Sequence, residues 1–186
     1  MSIGALVLAA GGGSRYLGPS HKLLARYQGR PLIATTLDAV ARASFDEMAV
    51  VTGAVEFAEF VPSGMAVLAN PDWANGLSSS LRVGIAWARE RGHAAVVIGL
   101  GDTPGVPTSA WEALRSCEAE VAVASFAGQL RPPVRLGAAM YSEIPTEGDV
   151  GARVLWHRPG TIEVPCDGDP SDIDTLADLE RLEAGA

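Results

Sequence analysis

The sequence predicts an α/β fold with three layers, helices covering both faces of a mostly parallel central sheet, in a single domain spanning 1–186. Three observations carry this. Strand-like apolar runs alternate along the chain with segments of helical periodicity, the pattern of βαβ units. Several of the runs are apolar throughout, as strands covered on both faces require. With 186 residues the chain is long enough to bury a full core without disulfides or a structural metal.

The elements follow in order. A first strand is expected at 3–9, and a helix at 31–43 with Pro31 suited to its first turn, where a missing N–H costs nothing. Strands at 48–52 and 65–69 precede a helix at 78–91, whose start Ser78, Ser79 and Ser80 can cap and whose end Gly92 can terminate. The strand at 94–100 leads to a helix at 108–117 opened by Pro107 and Thr108, then a strand at 121–126. The segment 127–141 departs from the alternation and reads as a hairpin or a substrate-facing insertion. A helix at 150–157, a strand at 161–165 and a helix at 175–184 opened by Asp174 and Thr175 complete the chain.

Composition narrows the function. Hydrophobic residues make up 48% and charged residues 19%, the balance of a folded chain. A net charge of −8 argues against a nucleic-acid polymer as partner, since that needs a basic face. No apolar stretch approaches the ~20 residues of a membrane-spanning helix, and the N-terminus has no basic leader region, so a cytoplasmic location is expected. Cys117 and Cys166 are too few for a disulfide framework or a zinc site, and His21, His93 and His157 read as solvated or packed.

The densest chemical signal follows the first strand. Gly11, Gly12 and Gly13 let the backbone bring bare N–H groups close to a ligand, and Arg15 and Lys22 add fixed positive charge, which suits a polyphosphate. It is not a Walker A loop, because Pro19 stands where G-x-x-x-x-G-K-[ST] needs lysine. It is not the dinucleotide fingerprint either: Tyr16 or Arg15 occupies a required glycine, depending on the starting point.

In parallel sheets, ligands bind outside the carboxyl ends of the strands. Three further polar segments lie there. Asn70 to Leu81 runs into a helix start whose three serines offer N–H groups and hydroxyls to an anion or a base edge. Asp102, at the end of the 94–100 strand, suits Mg²⁺, which favours one or two carboxylates plus phosphate oxygens. Asp172 and Asp174 share a face if extended, though Asp174 also fits a helix N-cap. Arg131 and Arg135 suit an acceptor phosphate or a plain surface role, and Gly148 to Arg153 offers another charged contact.

Taken in order, Leu8-Ala-Ala-Gly11 with Arg15 and Lys22, Asn70-Pro71, Gly76-Leu-Ser-Ser-Ser-Leu81, Gly101-Asp-Thr-Pro104, Gly148-Asp-Val-Gly-Ala-Arg153 and Asp172-Ile-Asp-Thr175 resemble the MobA-like nucleotidyltransferases, most closely the molybdenum-cofactor cytidylyltransferase branch. The resemblance spans residues 3 to about 182. It implies a Rossmann-like nucleotidyltransferase fold and Mg²⁺-dependent transfer of a nucleoside monophosphate from an NTP to a phosphorylated acceptor, with release of pyrophosphate. Ala9, Ala10, Gly11, Gly12, Gly13, Ser14, Arg15 and Lys22, with Asn70, Gly76, Ser78, Ser79 and Ser80, would bind the nucleotide. Arg15, Lys22 and Asp102 would be catalytic, with Asp102 and one of Asp172 or Asp174 on the metal. Ala9-Ala10-Gly11 resembles the CTP-using branch rather than GTP users, and the implied acceptor is molybdopterin. Two departures stand out: Leu17 and one further residue lengthen the path to Lys22, and Arg131-Pro132-Pro133 replaces the family's Arg-Gly-His-Pro. Competing readings are the same reaction on a sugar phosphate or phospho-acid, a dinucleotide-dependent oxidoreductase, and a non-catalytic nucleotide-binding domain.

Overall fold

A computed structural model describes residues 1–144 and 151–184. Its elements run β1 (Ile3–Leu8), β2 (Arg26–Tyr27), β3 (Arg30–Pro31), α1 (Leu32–Ala41), β4 (Glu47–Thr52), β5 (Met65–Ala69), α2 (Leu77–Glu90), β6 (Ala95–Leu100), α3 (Thr108–Ser116), β7 (Val121–Phe126), β8 (Gln129–Gly137), β9 (Ile162–Cys166) and α4 (Leu176–Ala184). β2 and β3 form a small antiparallel ladder apart from the main sheet. The other seven strands form one sheet in the order β5-β4-β1-β6-β8-β7-β9. Every neighbouring pair is parallel except those made by β8, which runs antiparallel to both β6 and β7.

The two faces of the sheet follow from the strand period of two. In β1, Ala5 and Val7 face one core with Leu32, Leu37, Trp111 and Leu179 from α1, α3 and α4, while Leu6 and Leu8 face another with Leu81 and Ile85 from α2. β1 is therefore apolar throughout because it has no solvent side. Burying each such side chain contributes roughly 1.5–3 kcal/mol, so the layers hold the strand ends in fixed positions.

One open expectation resolves as the hairpin, and two need correction. The segment 127–141 is mainly β8, the partner of a hairpin with β7, and it inserts between β6 and β7. The turn is two residues long, with Ala127 at φ 49° and Gly128 at φ 81°, the mirror-type turn whose twist matches paired strands. Of the expected helix at 150–157, the described part is a single 3₁₀ turn over Gly151–Leu155; Gly148, Asp149 and Val150 lie outside the described residues. Ser78, Ser79 and Ser80 do not cap α2 from outside: Gly76 precedes the helix, and all three serines are buried in its first turn.

Sequence order gives the sheet its crevice. The chain leaves β1 to build β4 and β5 on one side, then returns to place β6 on the other. Leu8 is in register with both Val51 and Leu100, so the loops after β1, β4 and β6 emerge together at one edge. Such a reversal point leaves an open crevice at the carboxyl ends of the strands.

Candidate active site

A cleft of about 410 Å³ opens at that edge. Its floor is the end of β1, Leu8 to Ala10; its rim is the loop from Gly11 to Arg15; Trp73, Gly76, Leu77 and Ser80 form one wall, and Lys22, Asp102 and Asp174 lie opposite.

The glycine loop is held by local contacts. Gly13 has φ +60°, a conformation that a side chain disfavours, and its carbonyl accepts from the Tyr16 amide at 3.0 Å. His21 then ties the loop down. Its Nδ1 accepts from the Leu23 amide at 3.3 Å, so Nε2 carries the proton and donates to the Gly11 carbonyl at 3.1 Å. Burial holds the imidazole below its usual pKa, which favours that neutral, two-ended clamp. Of the two expected readings, solvated or packed, His21 takes the packed one and braces the loop. Its signal in the sequence was adjacency to Lys22.

The longer path through Leu17 still returns Lys22 to the cleft. Leu17 is turned to solvent, 85% exposed, and a 3₁₀ turn over Lys22–Leu24 swings the chain back beneath Gly13. There Lys22 Nζ donates to Asp102 Oδ2 at 2.7 Å and to Asp174 Oδ1 at 3.0 Å. Arg15 Nη2 reaches the other oxygen, Asp174 Oδ2, at 2.8 Å. Burial alone would push the Lys22 amine down, but the two carboxylates outweigh it and hold the amine above its usual range. Burial pushes the Asp102 carboxyl up, with Lys22 opposing and the negative Asp172 adding to the rise.

Asp102 and Asp174 meet because the last loop is bonded to the end of β6: the Ile173 amide donates to the Asp102 carbonyl at 3.0 Å. Asp174 is not the N-cap of α4. Thr175 takes that role in a reciprocal box, its Oγ1 accepting from the Asp178 amide at 3.2 Å while Asp178 Oδ2 accepts from the Thr175 amide at 2.8 Å. Asp178 also accepts from the Asp174 amide at 3.2 Å, so it steadies the backbone of Asp174. Asp172 is exposed and does not line the cleft.

Among the described residues no three His, Cys, Asp or Glu side chains gather to cage an ion. The donor set is instead two carboxylates that already share one cation, the Lys22 ammonium. That fits a hard divalent ion completed by substrate phosphates and water rather than by protein alone.

Some expected site residues have other duties. Asn70 is buried, its Nδ2 donating to the Ser79 and Ser80 hydroxyls at 2.9 and 3.0 Å and its Oδ1 accepting from the Asp72 amide at 3.0 Å. It sets the α2 entrance without lining the cleft, and of the three serines only Ser80 does line it. The Ser78 hydroxyl is fully buried with no hydrogen-bond partner among the described residues. Arg135 points into the fold: Nε donates to the Ala119 carbonyl at 3.0 Å and Nη1 to the Arg115 carbonyl at 3.3 Å, so it pins α3 to the sheet away from the cleft. Arg131 is exposed and lies outside the lining of the cleft. A side chain the sequence reading passed over, Trp73, does line it, its indole lying so near Gly12 that an added Cβ there would approach it to 2.9 Å. The available signal was a lone aromatic within the polar loop 70–81.

The model of the MobA-like NTP transferase domain matches residues 5–162, most of the chain. This protein belongs to that family. The match covers the glycine loop, Lys22 and Asp102 of the MobA-like domain, while Asp174 lies beyond it. No curated protein matches this chain significantly. Among solved structures it is similar to Rv0371c from Mycobacterium tuberculosis H37Rv in complex with manganese, at 26% identity and a TM-score of 0.82 over 100% of both chains. It is similar to the Rv0371c homologue from Mycobacterium sp. strain JC1, at 28% identity and a TM-score of 0.81 over 98% of this chain and 96% of that one. A nucleotidyl transferase from Methanothermobacter thermautotroptrophicus (Mth528) is 27% identical with a TM-score of 0.82, over 99% of this chain and 97% of that one. The mostly parallel sheet flanked by helices is thus the Rossmann-like arrangement of nucleotidyltransferases. Membership makes the oxidoreductase reading untenable for this MobA-like chain. No helix among the described residues is long and apolar enough to cross a membrane.

Proposed function

We propose that this MobA-like domain, 1–186, is a divalent-metal-dependent enzyme that transfers CMP from CTP to a phosphorylated acceptor, molybdopterin in the first instance, with release of pyrophosphate. One observation carries the reading: backbone amides of the glycine loop, two cations and two carboxylates converge on one cleft at the carboxyl ends of β1 and β6. The preference for CTP rests on Ala9-Ala10-Gly11, and Mg²⁺ is the ion that suits two carboxylates and phosphate oxygens. The manganese complex of Rv0371c supports binding of a divalent ion by this fold.

An acceptor phosphate oxygen attacks the α-phosphorus in line. The new P–O bond forms as the bond to the β-phosphate oxygen breaks, and pyrophosphate leaves with the electron pair. The chain needs no nucleophilic side chain for this. Amides of Gly11 to Ser14 hold the triphosphate, and Lys22 and Arg15 neutralise the charge that grows on the leaving pyrophosphate. Asp102 and Asp174 would hold the metal, which when bound supplies charge stabilisation at the transferring phosphoryl group. Trp73 and Leu77 line the cleft wall on the α2 side.

A second reading keeps the reaction and changes the acceptor. Arg135 is committed to backbone carbonyls and Arg131-Pro132-Pro133 departs from the family segment, which favours a phosphorylated acceptor other than molybdopterin. The test is Mg²⁺-dependent pyrophosphate release with CTP, GTP, ATP and UTP, with and without molybdopterin, a sugar 1-phosphate and a phospho-acid. Release with CTP only when molybdopterin is present supports the first reading. Release only with another acceptor supports the second, and no release from protein that binds no nucleotide overturns both.

A further inference from the structure

The distances around Lys22 describe a site whose anionic positions are already taken. Lys22 Nζ lies 2.7 Å from Asp102 Oδ2 and 3.0 Å from Asp174 Oδ1, and Arg15 Nη2 lies 2.8 Å from Asp174 Oδ2. Two negative charges face two positive ones, so the pocket is balanced with nothing added. A divalent ion cannot bridge Asp102 and Asp174 while an ammonium stands between them, because two like charges would sit in contact within a site shielded from water. The Lys22 side chain is only 11% exposed, so the ammonium has little solvent to retreat into.

It does have another place to go. The Lys22 stem runs beside Gly13, whose added Cβ would lie 3.2 Å from Lys22 Cγ, so the head can pivot from the carboxylates to the loop that faces the cleft. A nucleotide's phosphates in that loop would supply the anions that Lys22 and Arg15 lose on leaving the aspartates. The backbone of Lys22 stays put during this exchange, since the 3₁₀ turn is held by His21.

We propose that Lys22 is an internal counter-cation that keeps the Asp102–Asp174 pair closed to a divalent ion until nucleotide phosphates draw it away, so that metal and nucleotide load together. This rests on the nucleotidyltransferase reading above. Lys22 is thereby a gate on metal entry as well as a phosphate ligand. Linkage makes the coupling reciprocal: the factor by which nucleotide tightens the metal is the factor by which metal tightens the nucleotide.

The test measures Mn²⁺ binding at pH 8 for the wild type, Lys22→Met and Lys22→Arg, by the loss of the free-ion electron spin resonance signal without CTP and, with CTP, by the loss beyond that of a protein-free Mn²⁺–CTP control. The expected result is weak binding of Mn²⁺ alone to the wild type, at least tenfold tighter binding to Lys22→Met, and a return to weak binding in Lys22→Arg. Unchanged or weaker binding of Mn²⁺ alone to a folded Lys22→Met protein, with Mn²⁺ plus CTP still binding, overturns the gate and leaves the nucleotidyltransferase reading intact. Absence of Mn²⁺ binding to any of the three proteins even with CTP overturns both. Should Lys22→Met not fold, the ammonium resonance of Lys22 in ¹⁵N-lysine-labelled wild type decides. Mg²⁺ alone is expected to leave it in place and Mg²⁺ with CTP to shift it; a full shift with Mg²⁺ alone overturns the gate.

Discussion

The Ile173 amide donates to the Asp102 carbonyl at 3.0 Å, and this bond joins the loop before the last helix to the end of β6. One residue on, Asp174 enters the cleft opposite the glycine loop. Asp172, one residue back, faces solvent: the segment is not a regular strand that would set both aspartates on one face, and Asp174 is drawn inward by Lys22 and Arg15.

The two aspartates therefore separate by function. Asp174→Asn is expected to lower turnover on the order of 10²–10³-fold, the loss typical of removing one preorganised charge from a reacting centre. Asp172→Asn is expected to keep turnover within a few-fold of wild type. Steady-state pyrophosphate release measures both, and equal losses would contradict the assignment of Asp174.

Asp102→Asn is expected to lower turnover by a similar order of magnitude while the fold survives, since Lys22 keeps Asp174 as its partner. Thermal unfolding alongside the activity assay separates the two effects. Near-wild-type turnover would remove Asp102 from the chemistry.

Asp178 gives a pH signature. The Thr175 hydroxyl, the Thr175 and Asp174 amides and Arg181 hold its carboxyl below the usual range despite partial burial. A carboxyl with a depressed folded pKa stabilises the fold fully above its ordinary value of about 3.9, and that contribution is lost as pH falls through the folded value. Asp178→Ala is expected to cost about 1 kcal/mol at pH 7, as for loss of a helix cap. Chemical denaturation of both proteins across pH should show the gap closing below about pH 4.

Trp73 and Gly12 form a coupled pair. Gly12→Ala brings a Cβ to 2.9 Å from the indole, so the ring must shift and the cleft wall with it. The expected outcome is weaker CTP binding in Gly12→Ala and partial recovery in Gly12→Ala with Trp73→Phe, which frees that space. Calorimetric titration of CTP over the four-protein cycle measures the coupling, and strictly additive losses would contradict the contact.

Local pattern determined the layered fold. Strand-forming runs at 65–69 and 121–126 coincide with β5 and β7, and α1 to α4 differ from expectation only at their ends. β7, buried throughout, writes the near-continuous apolar run of a strand covered on both faces, whereas the edge strand β5 keeps its apolar residues with Val67 and Ala69 exposed. The glycine loop with Arg15 and Lys22 was legible for the same reason: the chemistry lies within a dozen residues. What the sequence alone did not carry was partnership across the chain. β8 looked irregular because Arg131, Pro132, Pro133 and Arg135 break a strand pattern that pairing with β6 and β7 nonetheless imposes. Arg135 read as a phosphate ligand or a surface charge, and it is neither, because the Ala119 and Arg115 carbonyls hold it inside the fold. Asp174 read as a cap or as one of two candidate metal ligands, and Thr175 takes the cap, which leaves the Asp174 carboxylate to Lys22 and Arg15. Lys22, Asp102 and Asp174 lie far apart in sequence, and only the closing of the sheet and the bond from Ile173 to Asp102 bring three charges into one cleft, where the loss of water makes their interaction strong.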